Sequence, residues 1–392
     1  MQLLKLNARE VRDSRKHNTI QVIVVTARGK FYTSAPDGKS TGKYEVRSYK
    51  KSLIDDINFI NSIDVNEINS LDLKKFDDLK KIERIYSKNI GGNSMFAFEA
   101  SLLKAMAKEN GKELFEFLGG KKIPRPVGNA VGGGVHSRGM KGKKPDMQEF
   151  LFIPHGKSFY EMVKINEYAY RLAGRFFGFF KRRNDEGAWE TGFCNGDVLA
   201  IMKTVRDHIR KKYNKEMEIG LDVAASSFFR FGKYVYKNNE KILTKREQIS
   251  YISDIIKQYH LFYVEDPLEE NDFFGFKDMN RKNKCLIVGD DLITTNPIRL
   301  RRAIKMKAVN AIIVKPNQIG SLIKMKEVMT IAKKNKIKTI ISHRSGETKD
   351  NTIADLAVGF EADFIKTGIY GKVRRTKLKR IIKIEKMIRR KI

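Results

Sequence analysis

The pattern of apolar and polar positions in the first third of the 392-residue chain differs from the pattern in the remainder. Up to about residue 50, β-branched runs such as 20–25 and a turn at Gly29 predict strands. From Lys51 to about Lys121 the apolar positions predict helices, one of them with Leu102, Leu103, Ala105 and Met106 on a single face. Strands followed by helices predict a small α+β domain over residues 1–125.

Beyond a proline pair at 124 and 126, short apolar runs recur, and each ends in a polar or charged residue. These terminal residues are Asp222, Glu265, Asp290, Lys315, His343 and Lys366. Their spacing allows one strand, one helix and two loops per step, and helical patterns fill the intervals over 298–307 and 322–334. Continuous apolar runs are typical of buried parallel strands. Residues 126–392 are therefore predicted to form a (β/α) barrel.

The carboxyl ends of parallel barrel strands meet at one mouth, where the active sites of such barrels lie. The six terminal residues are therefore expected to converge. The alternative is six unrelated loop residues, but their common position at the ends of successive strands favours a single site.

Three of the converging residues, Asp222, Glu265 and Asp290, are carboxylates that would repel one another without a cation. Oxygen ligands without cysteine favour Mg²⁺, with Mn²⁺ as the alternative metal.

Lys315 and Lys366 are expected beside the carboxylates and the metal. A lysine crowded by other cations can lose its proton near neutral pH and act as a base. A base beside a metal-bound carboxylate suits removal of a proton α to that carboxylate, because the metal stabilises the enediolate. The alternative role for both lysines is a structural ion pair with the carboxylates.

Other polar residues stand close to these strand ends in the sequence. Arg344 and Ser345 follow His343 and offer a guanidinium and a hydroxyl that suit a phosphate. Glu149, after Gln148, is expected at the start of a strand, and Glu186 lies in a loop where an acid could protonate a leaving group. Either glutamate alone could equally be a surface residue. The segment 38–41 resembles a P-loop only in part, because the first glycine of that motif is missing.

The formal net charge is +32, spread along the whole chain. A solvated basic surface is the favoured interpretation, and nucleic-acid binding is the alternative. Two distant cysteines fit a reducing cytoplasm, and no apolar run approaches the roughly 20 residues that span a bilayer. We expect a cytoplasmic protein with no membrane association and with a small anionic substrate drawn by the positive field.

The motifs of the chain, taken in order, resemble those of the enolase family from residue 8 to residue 385. The resemblance is carried by residues 8–15 (AREVRDSR), 222–226 (DVAAS), 264–267 (VEDP), 289–292 (GDDL), 315–320 (KPNQIG), 342–348 (SHRSGET) and 365–368 (IKTG). It implies a modified (β/α)8 TIM-type barrel under an N-terminal α+β capping domain, and Mg²⁺-dependent interconversion of 2-phosphoglycerate and phosphoenolpyruvate.

The resemblance also implies a role for each matching residue. Lys315 matches the base, Glu186 with Glu149 the acid, and Lys366 the lysine that faces the substrate carboxylate. Two Mg²⁺ ions are expected, the first held by Asp222, Glu265 and Asp290 and the second joined by Ser40. The remaining matches are substrate-binding residues: His136, Gln148, His343, Arg344 and Ser345.

The chain departs from the family pattern mainly in its loops. Asp37 and Lys39 enter the loop that closes over the site, and the longer stretch before Gln148 brings in Arg138, Lys141, Lys143 and Lys144. These changes leave open an enolase relative that acts on another carboxylate, or a nucleic-acid-binding protein on the same scaffold. The resemblance implies a homodimer or higher oligomer, although Gln21 and Lys383 replace a glutamate–arginine pair between subunits.

Overall fold

A computed structural model describes residues 1–38, 42–137, 142–177, 182–238 and 240–391. The N-terminal part is a three-stranded antiparallel sheet of order β1-β2-β3 followed by five helices. Their bounds are β1 Leu3–Arg12, β2 Asn18–Thr26, β3 Gly29–Ser34, α1 Leu53–Ser62, α2 Val65–Ser70, α3 Leu79–Tyr86, α4 Gly92–Glu109 and α5 Leu114–Phe117.

Helix α4 joins the sheet to the rest of the molecule. It packs on β2 and β3, and the residues from Gly92 to Leu103 are all buried. The predicted apolar face is thus buried, but the prediction of a single apolar face was incomplete, because the helix is covered on nearly all sides. At its start a Cβ on Gly92 would lie 2.9 Å from the carbonyl oxygen of Asn317, so only glycine permits this close approach to the second domain.

Strand structure ends at Ser34, and the prediction of strands to about residue 50 was wrong for the last part of that segment. The main chain there bonds to other parts of the molecule instead of to a neighbouring strand. Asp37 and Gly346 exchange two hydrogen bonds of 2.7 and 2.9 Å, and the N–H of Val46 donates to the carbonyl of Gln318 at 2.9 Å. The segment therefore lies across the second domain.

The second domain contains twelve strands and nine helices among the described residues. The strands are β4 Arg125–Gly132, β5 Glu149–Pro154, β6 Trp189–Glu190, β7 Met217–Asp222, β8 Phe229–Arg230, β9 Lys233–Tyr236, β10 Lys241–Leu243, β11 Tyr263–Glu265, β12 Leu286–Gly289, β13 Ala311–Val314, β14 Lys338–Ser342 and β15 Phe364–Lys366. The helices are α6 Phe159–Arg175, α7 Asn195–Tyr213, α8 Lys245–Tyr259, α9 Phe273–Lys282, α10 Pro297–Met306, α11 Pro316–Ile319, α12 Leu322–Lys334, α13 Thr352–Gly359 and α14 Lys372–Arg389.

Eight of these strands close a barrel of order β4-β5-β7-β11-β12-β13-β14-β15, with β15 pairing back to β4. The predicted barrel is therefore confirmed, with one modification: β5 runs antiparallel to both of its neighbours. The described residues between β4 and β5 form a 3₁₀ turn at Gly134–Ser137 and no α-helix. The small sheet β10-β9-β8 accounts for the long interval between β7 and β11.

Apolar side chains fill the barrel interior below the mouth, among them Leu151, Tyr263, Val288, Ile313 and Phe364. Helices α6 to α14 surround the strands, and their inward faces supply the main core. Among the described residues, no helix combines the length and the apolar character needed to cross a membrane.

Glu99 on α4 gives the domain contact a dependence on pH. Its side chain is fully buried, Oε2 accepts a hydrogen bond from Leu322 N at 2.7 Å, and Oε1 has no hydrogen-bond partner among the described residues. Burial, and then the charge of Glu83, raise the pKa of Glu99 well above its ordinary value of 4.5. The stability gained from its proton is fully present below the unfolded pKa and is lost as pH rises through the folded pKa.

Glu99→Gln is expected to remove this pH dependence, because a neutral amide keeps the acceptor for Leu322 N and carries no charge. The variant should match the wild type near pH 5 and exceed its free energy of unfolding by about 1–2 kcal/mol near pH 8. Urea unfolding at both pH values measures this, with the exposed Glu240→Gln as control. An equal difference at both pH values would contradict the prediction.

Candidate active site

The barrel topology brings the six strand-end residues to one mouth. Asp222 and Glu265 end β7 and β11, and Lys366 ends β15. The other three directly follow β12, β13 and β14, and they are Asp290, Lys315 and His343. Because β7 and β11 to β15 are consecutive in the barrel, the six residues form one arc.

Strand β5 adds Glu149 to this mouth, although Glu149 starts a strand instead of ending one. The reversed strand places its first residue directly opposite Asp222 in the antiparallel register. Gln148, one residue earlier, donates from its main chain to the carbonyl of Asp222 at 3.0 Å and from Nε2 to Asp222 Oδ2 at 3.4 Å.

The mouth contains a cavity of about 390 Å³ that is closed on one side by the segment after β3. The predicted residues that line it are His136, Gln148, Glu149, Glu186, Asp222, Asp290, Lys315, His343, Arg344, Ser345 and Lys366. Glu265 lies beneath this surface, almost fully buried. Ser40, Lys39, Arg138 and Lys141 lie outside the described residues.

Lys366 is the central cation of the site. Its Nζ lies 3.0 Å from Glu149, 3.1 Å from Asp222 and 2.8 Å from Glu265. Burial alone would lower the pKa of Lys366, but Asp222, Glu149 and Glu265 together raise it well above 10.5. Lys366 is therefore a fixed ammonium group that holds three carboxylates together.

Lys315 forms a very short ion pair with Asp290 Oδ2. Burial acts to lower its pKa, but Asp290 raises the pKa above the ordinary value of 10.5. Both lysine pKa values are thus raised by their carboxylate partners, and the lowered pKa expected beside a bound metal stays a prediction. The physical reason is that each ammonium contacts carboxylates directly, so opposite charge outweighs burial and the charges of other cations.

Two of the three predicted metal-ligating carboxylates, Asp222 and Glu265, have raised pKa values, mainly because they are buried. Burial, followed by the charge of Asp222, raises the pKa of Glu265 to about 7. The hydroxyl of Tyr263 donates to Glu265 Oε2 at 2.5 Å, and Lys366 donates to the same oxygen. A purely oxygen donor set of this kind fits a hard divalent cation, whose charge would offset the repulsion now offset by two lysines.

Two groups of possible ligands within 4.8 Å of one another occur among the described residues, and neither is the predicted trio. One group contains Asp266, Asp290 and Asp291. Asp266 has a structural role, because its two carboxylate oxygens accept hydrogen bonds from the main-chain N–H groups of Asp290 and Asp291 at 3.0 and 2.8 Å. The ammonium groups of Lys366 and Lys315 occupy the space between the predicted ligands.

The second group is the acid cluster His136, Glu149 and Glu186. His136 Nδ1 lies 3.5 Å from Glu149 and 3.7 Å from Glu186. Burial raises the pKa of Glu149, whereas the charges of His136 and Arg374 outweigh burial and hold the pKa of Glu186 well below 4.5. The cluster therefore combines a carboxyl group whose pKa is raised with one whose pKa is lowered.

Arg344 lies in the loop after β14 and lines the same cavity. Its guanidinium makes a two-pronged ion pair with Glu45, with distances of 2.9 and 3.2 Å, and Nη1 donates to Asn317 Oδ1 at 3.3 Å. Glu45 thus fixes the orientation of the predicted phosphate-binding arginine from the N-terminal domain. Sequence reasoning missed Glu45, although its place three residues after Gly42 in the closing loop was a usable signal.

Arg374 is a second residue that sequence reasoning missed. It lies in the first turn of α14, only 1% exposed. It donates to the carbonyls of Arg344 and Ser345 at 2.8 Å each, to the carbonyl of Asp185 at 3.4 Å, and to His343 Nδ1. One buried guanidinium therefore links the phosphate side of the site to the Glu186 loop.

The contact with Arg374 also determines the protonation state and the tautomer of His343. Burial, and then the charge of Arg374, lower the pKa of His343 well below 6.5, so the ring is neutral. Because Arg374 donates to Nδ1, the ring proton must be on Nε2, which lies 4.0 Å from Glu186 Oε2.

The backbone at the mouth carries left-handed residues that are not glycine. They are Ala224, Asp266, Thr294 and Thr295, with φ between 41° and 53°. Such conformations cost roughly 1–3 kcal/mol each and cluster at functional sites. They follow β7, β11 and β12, the strands that carry the predicted metal ligands.

Three of the residues that depart from the family pattern in the loops can be placed. Asp37 forms an ion pair of 3.2 Å with Arg15 in addition to its main-chain bonds with Gly346, so it anchors the start of the closing loop. Lys144 donates to the carbonyl of Ser137 at 3.0 Å, and Lys143 is exposed.

The fold and this site together define an acid–base enzyme built on a (β/α) barrel. Family models named for the enolase N-terminal domain and the enolase C-terminal TIM barrel domain match residues 3–118 and 120–392. The chain therefore belongs to the enolase family, whose members are lyases of the phosphopyruvate hydratase type.

Individual relatives agree with the family models over nearly the whole length. An enolase from Methanothermobacter thermautotrophicus is 37% identical over 405 residues, covering 98% of this chain and 96% of the relative. One from Methanosphaera stadtmanae is 38% identical, covering 96% and 95% respectively. One from Thermoplasma acidophilum is 37% identical and covers 98% of both chains.

Proposed function

We propose that the chain catalyses the reversible dehydration of 2-phosphoglycerate to phosphoenolpyruvate. The observation that carries this proposal is that one cavity is lined by two buried lysines with their carboxylates and by an acid cluster, and Glu149 belongs to both groups. Arg344 and Ser345 line the same cavity and offer a guanidinium and a hydroxyl that suit the phosphate. Removal of a carbon-bound proton and departure of a hydroxyl need a base and an acid that both reach the substrate.

Lys315 is the proposed base that removes the C2 proton. Its ammonium is held by Asp290, and it becomes a base only when that carboxylate is neutralised in another way. Lys366 keeps its charge through three carboxylates and faces the substrate carboxylate, whose negative charge grows as the proton leaves.

Glu186 and Glu149 are proposed to assist departure of the C3 hydroxyl. The pKa values of Glu149 and Glu186 are shifted in opposite directions within one cluster, which suits a pair that delivers a proton to the leaving oxygen. His136 holds both carboxylates in place. Arg344, Ser345, His343 and Gln148 bind the remaining polar groups of the substrate.

Asp222, Glu265 and Asp290 are the proposed ligands of a first Mg²⁺, and Ser40 is proposed to join a second, with Mn²⁺ as an alternative metal. When bound, such an ion supplies positive charge to the enediolate that forms at the substrate carboxylate. The raised pKa of Glu265 supports this assignment, because a cation beside it would offset the repulsion from the neighbouring carboxylates.

Magnesium is expected to stabilise the folded chain, because it binds the native carboxylates and not the unfolded ones. At 100 times its dissociation constant the expected gain is about 2.7 kcal/mol. Thermal unfolding with and without Mg²⁺ measures this gain, and Asp290→Asn should reduce it strongly. An equal shift in Asp290→Asn would show that the ion binds elsewhere.

The activity itself is tested by following phosphoenolpyruvate formation from 2-phosphoglycerate through its ultraviolet absorbance, with Mg²⁺ present and again after chelation. Turnover that depends on the metal supports the proposal. A folded protein that forms no phosphoenolpyruvate under these conditions would reject it.

We further propose a cytoplasmic location and a homodimer. In this chain Gln21 is occupied within its own subunit, since it accepts from Arg9 Nε and donates to Ser34 Oγ, both at 2.9 Å, while Lys383 is exposed. The mass of the particle in solution, measured by light scattering, tests the dimer, and a single-chain mass would reject it.

A further inference from the structure

The loop that carries Glu186 is held from the outer side by a stack of side chains. The ring of Tyr170 on α6 is nearly parallel to Trp189 and to Tyr370, with centroids 4.9 and 5.8 Å away and interplanar angles of 15° in both cases. The guanidinium carbon of Arg183 lies 4.1 Å from the ring centroids of both Trp189 and Tyr370. Such cation–π contacts are attractive and orient the guanidinium over the rings.

Hydrogen bonds connect this stack to the main chain beside Glu186. Arg183 Nε donates to Tyr170 Oη at 2.8 Å, and Tyr170 Oη donates to the carbonyl of Gly187 at 2.7 Å. Trp189 Nε1 donates to the carbonyl of Tyr170 at 2.8 Å. The stack is thus fastened to the residue that directly follows Glu186.

Hydrogen bonds and a close approach of the main chain also restrict the conformation of this loop. Asn184 Oδ1 accepts the N–H groups of Glu186 and Ala188, both at 3.0 Å. Gly187 has φ +80°, and a Cβ there would lie only 2.7 Å from the carbonyl oxygen of Tyr370. The backbone of Glu186 is therefore confined between an internal turn and the segment that carries Tyr370.

We propose that Arg183 and Tyr370 are positioning residues for Glu186 in the step that expels the hydroxyl. They fasten the loop so that Glu186 Oε2 stays within 3.1 Å of Asn129 Nδ2 and beside His136. This inference rests on the proposed function. Both residues are partly solvent-exposed, Tyr370 by 40%, so they can be replaced without opening the core.

The test compares Arg183→Leu and Tyr370→Ala with the wild type. Misplacement of a catalytic group by about 1 Å can cost about 10²-fold, so kcat is expected to fall by roughly 10–100-fold with KM changed little. Exchange of the C2 proton with D₂O, followed by NMR, should stay near the wild-type rate, because Lys315 acts before Glu186. Tyr370→Phe keeps the ring and should restore kcat.

The matched control is Arg302→Leu, which removes a guanidinium lying 4.3 Å from the Phe273 ring centroid in another part of the barrel. Its kcat should equal that of the wild type. The inference is overturned if Arg183→Leu and Tyr370→Ala keep kcat within about twofold, or if they slow C2 exchange as much as turnover.

Trp189, the only tryptophan of the chain, gives a second measurement that needs no activity. It is nearly buried in the wild type, so acrylamide should quench its fluorescence weakly. Quenching should increase in Arg183→Leu and Tyr370→Ala and stay unchanged in Arg302→Leu. A wild type without turnover would reject the proposed function, whereas unchanged quenching in the first two variants would reject the positioning role.

Discussion

Lys315→Ala is expected to lower kcat by about 10²–10⁴-fold, the range that a positioned base contributes. The reason is that Lys366, the other buried lysine at the mouth, is held by three carboxylates and cannot take its place. Phosphoenolpyruvate formation and C2 proton exchange should both fall, because the substitution removes the first step. This pattern separates Lys315 from Glu186, whose loss should spare the exchange.

A control for this experiment is Lys305→Ala, which removes an exposed lysine from α10. It should leave turnover unchanged, and circular dichroism should show both variants folded. Turnover within tenfold of the wild type in a folded Lys315→Ala protein would assign the base to another residue.

Lys377→Met is expected to lower the free energy of unfolding by about 3–5 kcal/mol, the cost of leaving one partner of a buried ion pair alone. Lys377 Nζ lies 2.6 Å from Glu347 Oε2, and the two side chains are 1% and 3% exposed. Lys377 also donates to the carbonyl of Thr348, and Glu347 accepts the N–H of Arg344 at 3.3 Å. The pair therefore shapes the loop that presents Arg344 and Ser345.

Urea unfolding measures this loss. Adding Glu347→Gln should recover part of it, because no uncompensated buried charge remains. Lys379→Met, an exposed position on the same helix, should change stability by less than about 0.5 kcal/mol. A single variant Lys377→Met as stable as the control would show that the pair contributes little.

The barrel and the arc of strand ends were predictable from sequence because buried parallel strands leave an unmistakable apolar run with a polar residue at its end. Helix α12 has the predicted bounds, Leu322–Lys334. The reversal of β5 was not predictable, since an apolar run such as 150–153 reads the same in either direction. The arrival of Glu149 at the mouth depends on that reversal.

The contacts made by individual charged side chains could not be predicted from the sequence either. Arg374 lies in a helix rich in lysine and arginine, where a solvated side chain is the ordinary expectation, yet it is buried against His343 and Arg344. The direction of the Lys315 pKa depends on which carboxylate it contacts, and a strand-end pattern does not specify contacts. Glu45 reaches Arg344 only because the segment after β3 crosses the mouth.

The reversed strand β5 has a consequence for how the enzyme can diverge. Since β5 descends from the mouth, the chain must return through α6, and the connection from α6 to α7 therefore opens at the mouth with Glu186 on it. The parallel strands carry the proposed base and the proposed metal ligands, whereas the proposed acid pair, Glu149 and Glu186, lies on β5 and on the connection between α6 and α7. We therefore expect changes in that connection to affect departure of the leaving group more than removal of the C2 proton.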